Sequence, residues 1–310
     1  MKLGISSRMG ICLLAILLPG GFLEDVRAEA HKLRIVTSFL PVFCFTVNVT
    51  GDLAEVENLL PPGAEPHDFQ FTPREVKLLS TADMVVVNGL QLESWLDRAM
   101  LSSGNPRYRV EAAAGLKSEL ITTAPYLDLA GAGSAGHQET SAPNPHIWLD
   151  PLLAAHAVTN ILEALQKADP AHASAYAVNA AHYISRLEEL DAEFRAGLTP
   201  FKDEPVVMFH DAYPYFARRY GLKIAGVIEQ LPDVQPSPKY LGALGGVIRR
   251  EKVKVIFADR QFSPKLPDQI GRDYGVPVAR LDTLETGKFE PAAYEEGMRY
   301  NLQTLEKCLK

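Results

Sequence analysis

From Asp169-Pro170 to about Gly197 the chain places Tyr176, Ala180, Tyr183, Leu187, Leu190 and Phe194 at alternating steps of four and three residues. Those steps align all six on one stripe of an α-helix. At 1.5 Å per residue such a helix reaches ~40 Å, the span of a whole domain. One apolar stripe on so long a rod needs an equally long surface to lie against. A helix packed along a single lobe would supply that surface, and so would a spine running between two lobes. Strand–helix alternation precedes the stripe and resumes after it, which favours the spine.

Ahead of the stripe, residues 33–39, 54–60 and 82–89 are short aliphatic or β-branched runs that read as strands, with a weaker run at 108–112. Helical sequence follows the first strand to about residue 50, starts again at Thr72-Pro73 with Glu75 as cap, and returns at 92–101. Behind the stripe, 205–209, 222–228, 253–258 and 276–281 read as strands, with helices at 212–220, 238–251, 264–274 and 291–307. Alternation of this kind predicts parallel sheets covered on both faces. The expected fold is α/β: two lobes, residues 29–149 and 199–310, each a parallel sheet flanked by helices. A helical connector over 150–198, containing the long rigid helix, joins them.

Residues 1–28 carry Lys2 and Arg8, the apolar run Ile11 to Leu18, and the small-residue ending Val26-Arg27-Ala28. This reads as a cleavable secretory signal peptide, too short in its apolar part to span a bilayer. Cys12 sits inside the apolar run rather than just after it, so no lipid anchor is expected. The chain has a formal charge of −7 and no basic patch, which argues against nucleic acid as a partner. The expected product is a monomer exported to the periplasm. Cys44 and Cys308 lie near opposite ends of it, outside any CxxC spacing, and are expected to be unpaired thiols.

Four polar residues fall where α/β sheets bind ligands, outside the carboxyl ends of strands. His210 follows one buried-type strand and Asp282 another, while His67 follows a strand through the turn Pro61-Pro62-Gly63. His146 lies in Asn144-Pro145-His146-Ile147-Trp148-Leu149-Asp150-Pro151, between a loop and a helix start capped by Asp150. A single histidine after a strand is more often a satisfied polar group than a ligand. Three imidazoles and one carboxylate brought into one cleft, however, make a four-coordinate set suited to Zn²⁺. Asp211 and Glu65 could each orient a ligand imidazole. His156, His172 and His182 have no paired spacing and read as ordinary helix residues.

Several of these segments together resemble a known family. Gly63-Ala64-Glu65-Pro66-His67-Asp68-Phe69, Asn88-Gly89-Leu90 with Glu93 and Trp95-Leu96, the 144–151 stretch, His210-Asp211-Ala212-Tyr213-Pro214-Tyr215-Phe216 and Leu281-Asp282 look like the solute-binding proteins of zinc and manganese ABC importers. The resemblance spans residues 33–308. It implies two α/β lobes joined by a long helix, a metal held between them by His67, His146, His210 and Asp282, and a membrane permease as partner. Manganese members tend to carry glutamate at the third ligand position, so His210 points to Zn²⁺ as the divalent ion carried. Two departures stand out. The loop before His146 is rich in Gly and Ala, with only His137 and Glu139, where zinc members often have a long His- and acid-rich insert. Leu281-Asp282-Thr283-Leu284 also lacks the proline that often follows the aspartate.

Other readings are a manganese-binding protein of the same importer class, a surface adhesin and a secreted zinc hydrolase. A catalytic zinc usually keeps one position open for water, and the chain has neither HExxH nor GxSxG. The expectation is a binding protein rather than an enzyme.

Overall fold

The computed structural model describes residues 1, 32–104, 108–122, 142–229, 235–261 and 263–310. The expected signal segment, and His137 and Glu139 in the loop before His146, lie outside the described residues. Residues 32–310 form one compact unit. β1 (Leu33–Thr37), α1 (Leu40–Thr50), β2 (Ala54–Asn58), α2 (Pro73–Thr81), β3 (Met84–Val87), α3 (Leu96–Ser103) and β4 (Tyr108–Glu111) make up the first half. α4 (Pro151–Ala168) and α5 (Ala173–Leu198) follow. The second half contains β5 (Pro205–His210), α6 (Pro214–Tyr220), β6 (Lys223–Glu229), α7 (Pro238–Glu251), β7 (Val255–Asp259), α8 (Lys265–Tyr274), β8 (Val278–Leu281) and α9 (Ala293–Leu309).

The strands form two four-stranded sheets, ordered β2-β1-β3-β4 and β6-β5-β7-β8. Every pairing is parallel, and the two orders are the same arrangement used twice. The local signals act as their chemistry requires. Thr72 and Glu75 form a reciprocal capping box ahead of Pro73, and the Asp150 carboxylate accepts the backbone N–H groups of Leu152 and Leu153 at the start of α4. α3 begins at Leu96 rather than at 92, because residues 88–95 form a turn with Leu90 and Gln91 in left-handed conformations.

α5 buries the whole stripe from Tyr176 to Phe194. At 26 residues it is ~39 Å long. It packs against α1, α4, α6 and α9. Phe45 of α1 meets both Tyr183 of α5 and Tyr294 of α9, and Phe194 of α5 stacks on Tyr220 of α6. One continuous apolar cluster therefore includes side chains from both sheets and the helices between them, while a smaller cluster lies under α7 and α8. The lobes are joined by a shared core and not by a flexible link. Cys44 and Cys308 are both free thiols. No helix among the described residues is long and apolar enough to cross a membrane.

Candidate metal centre

His210 is the last residue of β5 and Asp259 the last of its sheet neighbour β7. The chain leaves these two strands toward opposite edges of the sheet, which opens a crevice between their carboxyl ends. Asp259 Oδ2 stands 2.6 Å from His210 Nδ1, with both groups buried. The carboxylate accepts the Nδ1 proton and leaves Nε2 as the outward-facing donor.

Two further imidazoles arrive on loops of the first lobe. His146 is held at both ends by Asn144, whose Oδ1 accepts the His146 backbone N–H at 3.0 Å and lies 2.9 Å from Nδ1. Asn144 Nδ2 in turn donates to the Asp211 carbonyl and carboxylate, at 2.7 and 3.1 Å. Asn88 Nδ2 donates to the Pro145 carbonyl, fixing the same loop to the end of β3. His67 is carried on the loop after β2, which the Trp95 indole N–H pins by donating to the Pro66 carbonyl at 2.9 Å.

The carboxylate of the cluster comes from Glu285. Its Oε1 lies 3.3 Å from His67 Nε2 and 3.4 Å from His146 Nε2, and its side chain is fully buried. Asp282, expected as the fourth ligand, is not brought into the cluster. Its Oδ1 accepts the Leu284 backbone N–H at 2.9 Å, and Oδ2 accepts from Arg260 Nη1 at 3.0 Å. Asn301 of α9 clamps its backbone from both sides. The turn then passes through Leu284 at φ 62°, which reverses the chain and swings Glu285 inward. The indole N–H of Trp148 donates to the Thr283 carbonyl at 2.7 Å and anchors this turn beside His146.

The donor spacing can be tested against an ion. A tetrahedral metal with bonds of ~2.05 Å holds its donors ~3.3 Å apart. Here His67 Nε2 and His146 Nε2 are 3.2 Å apart, each is 3.3–3.4 Å from Glu285 Oε1, and His210 Nε2 is 3.4 Å from His146 Nε2. His67, His146 and Glu285 have been brought mutually within coordination range. Three donors at these separations, with His210 Nε2 beside the His146 corner of the group, suit a single cation, so the residues present fit a divalent metal.

The charges divide the cluster. Burial drives the His146 imidazole down to about 3, so it is neutral and ready to ligate. Burial would also lower His210, but the Asp259 carboxylate beside it outweighs burial and lifts it to about 10. Glu285 is held well below the usual carboxylate range: burial works against this, and hydrogen bonds from His146 and His67 overcome burial. Burial and the neighbouring Glu285 raise Glu65 to about 7; its Oε1 is 3.9 Å from His67 Nε2, at the outer edge of the cluster.

Asp259 and Glu285 are two carboxylates at this cluster that the sequence did not single out. The carboxylate that orients His210 is Asp259; Asp211, which the sequence left open for that role, accepts from Asn144. The remaining described histidines do other work. His156 Nε2 bonds the Ala114 carbonyl and His172 Nδ1 bonds Asp169, while His182 is exposed on α5.

Paired parallel α/β lobes sharing one core, with imidazoles and a carboxylate gathered near their strand ends, define a two-lobed α/β protein with a candidate metal centre. The family described as zinc-uptake complex component A, periplasmic (ZnuA), matches residues 35–308, and the chain belongs to it. The zinc-binding protein AdcA of Streptococcus pyogenes serotype M3 is 31% identical over 302 residues, covering 91% of this chain and 57% of AdcA. The chain thus spans little more than half the length of that relative. The high-affinity zinc uptake system protein ZnuA of Bacillus subtilis is 29% identical over 294 residues, covering 91% of this chain and 89% of that protein. Among solved structures, FpvC of Pseudomonas aeruginosa in complex with Mn²⁺ matches with a TM-score of 0.78 at 31% identity, covering 90% of this chain and 98% of that one.

Proposed function

We propose that this chain captures Zn²⁺ outside the cytoplasm and delivers it to the membrane permease of an ABC-type importer. It would be exported by the signal peptide read at residues 1–28 and act in the periplasm as a monomer. The ion is cargo. His67, His146, His210 and Glu285 would hold it, and Asp282 would brace the turn that presents Glu285. The observation that carries this reading is the donor spacing of 3.2–3.4 Å centred on His146, the edge length of a Zn²⁺ tetrahedron. Three nitrogens and one oxygen favour Zn²⁺ over Mn²⁺, which suits more oxygen ligands and binds nitrogen sites most weakly in the first-row series.

The test is metal analysis of the protein as purified, followed by titration against a chromophoric zinc chelator. One tightly held Zn²⁺ per chain is expected, and His146→Ala should weaken it by orders of magnitude. Unchanged affinity in that variant would overturn the assignment.

A further inference from the structure

Glu285 has two carboxylate oxygens, and only one of them faces the imidazoles. The other, Oε2, accepts the Thr283 hydroxyl at 2.7 Å in a buried contact. That hydroxyl is itself fixed in direction, because its oxygen accepts from Gln261 Nε2. Gln261 Nε2 also lies 3.4 Å from Glu285 Oε2. The relay Gln261 to Thr283 to Glu285 thus holds Oε2 away from His67 and His146. Thr283 is fully buried, and the Trp148 indole holds its carbonyl, so the hydroxyl is held on two sides.

We propose that Thr283, oriented by Gln261, is a specificity-determining residue that confines Glu285 to one-oxygen coordination. The inference rests on the Zn²⁺ reading above. A carboxylate free to turn can bind through both oxygens. That would raise the coordination number above four and favour ions that take more oxygen ligands. With Oε2 locked, the site offers three nitrogens and a single oxygen. Zn²⁺ accepts that set, and Mn²⁺ is left short of oxygen ligands. Selection between the metals would then depend on a hydroxyl that never touches the ion as well as on His210.

Thr283→Val keeps the shape and removes the hydroxyl, and Thr283→Ser keeps the hydroxyl. Gln261→Met, at a partly exposed position, removes only the orienting donor. Each variant is titrated with Zn²⁺ and with Mn²⁺ against the same competing chelator, and is loaded with Co²⁺ to record its visible spectrum. Loss of a partner behind a metal ligand costs ~10–100-fold in affinity. Thr283→Val should therefore lower Zn²⁺ affinity by ~10–100-fold and Mn²⁺ affinity by less, so that the Zn²⁺-to-Mn²⁺ ratio falls. Its Co²⁺ bands should weaken from the intense absorption of a tetrahedral ion to that of a five-coordinate one. Thr283→Ser should restore the ratio and the spectrum, and Gln261→Met should fall between. If Zn²⁺ and Mn²⁺ weaken by the same factor and the Co²⁺ spectrum stays tetrahedral, Thr283 merely holds the turn and the inference is overturned. A wild-type protein that binds no Co²⁺ or Zn²⁺ stoichiometrically would instead overturn the Zn²⁺ reading itself.

Discussion

The two sheets have the same strand order but use the same topological point differently. In the second lobe the crevice between the ends of β5 and β7 holds His210 and Asp259, an imidazole beside the candidate metal centre and the carboxylate that orients it. In the first lobe the equivalent crevice, between β1 and β3, holds Glu93. Its Oε1 accepts the Ser38 hydroxyl and the Asn88 N–H at 2.7 and 2.8 Å, and its Oε2 accepts the Gly89 N–H at 3.2 Å. Glu93 touches none of the metal-facing donors. It ties the exits of two strands together, and Asn88 passes that order on to the His146 loop through Pro145. One lobe therefore uses its switch point for chemistry, and the other uses it to build a platform from which loops reach across. A buried carboxylate at a strand-end crevice can serve either purpose; the group it accepts from, an imidazole or a set of backbone N–H donors, decides which.

The contrast predicts different signatures for the two carboxylates. Glu93→Ala strands three buried donors, each costing ~1–3 kcal/mol when left unpaired, so unfolding in urea should reveal a loss on the order of 3 kcal/mol or more. Its effect on zinc should be secondary, through the loosened 144–146 loop. Asp259→Asn should differ in kind, adding a direct ~10–100-fold loss of zinc affinity to the stability lost with its buried ion pair to His210. Denaturation without metal and chelator competition on both variants decide the matter. Two carboxylates that lose stability and affinity in the same proportion would erase the distinction drawn between the lobes.

The second lobe also carries a proton that the ion must displace. His210 is raised from its ordinary value to about 10, so at pH 8 it is an imidazolium paired with Asp259. A group raised on folding stabilises the metal-free protein fully below its unfolded value of ~6.5 and loses that contribution as pH climbs through about 10. Zn²⁺ needs Nε2 unprotonated. Calorimetry at pH 8 in buffers of different ionisation enthalpy should therefore report release of about one proton per zinc, with affinity rising as pH increases toward 10. Asp259→Asn removes the pairing charge and should abolish the release. Zinc binding at pH 8 without proton release in the wild type would mean that His210 is already neutral there.

Much of this was legible in the chain. The stripe from Tyr176 to Phe194 gave the long helix, and the alternation around it gave two parallel sheets, because both patterns follow directly from backbone geometry. The three imidazoles were legible because each follows a strand or a proline-stiffened turn. The carboxylates were harder to read. Asp259 carries the same signal as His210, a polar residue closing an apolar strand, but the strand reading stopped one residue short at Ala258. Glu285 has no strand end to mark it. It reaches the cluster only because Asp282 caps the turn and Leu284 adopts φ 62°. Leu284 gains that conformation by packing over Gly297, where a Cβ would stand 2.1 Å from its Cδ2. Gly297 and Asn301, thirteen and nineteen positions beyond Leu284 and Asp282, set a turn that no local propensity predicts.

The smallest predicted effect concerns Asp282, and it tests the choice of fourth ligand. If Asp282 bound the ion, Asp282→Asn would remove a charged ligand and cost zinc affinity by orders of magnitude. As a brace it should matter little. Asparagine keeps an oxygen at Oδ1 for the Leu284 N–H, so the turn retains its cap. What is lost is the ion pair to Arg260, whose side chain is 48% exposed and also lies over the Tyr300 ring at 4.4 Å. Pairs this exposed contribute ~0–1 kcal/mol, and nothing in the cluster depends on that charge by direct contact. Zinc affinity should therefore change by no more than about fivefold, the factor that 1 kcal/mol represents. Glu285→Gln, measured in the same competition assay, should lose far more, because it replaces the one oxygen anion that faces His67 and His146. A steep loss in Asp282→Asn beside a mild one in Glu285→Gln would exchange the two roles and return Asp282 to the coordination shell.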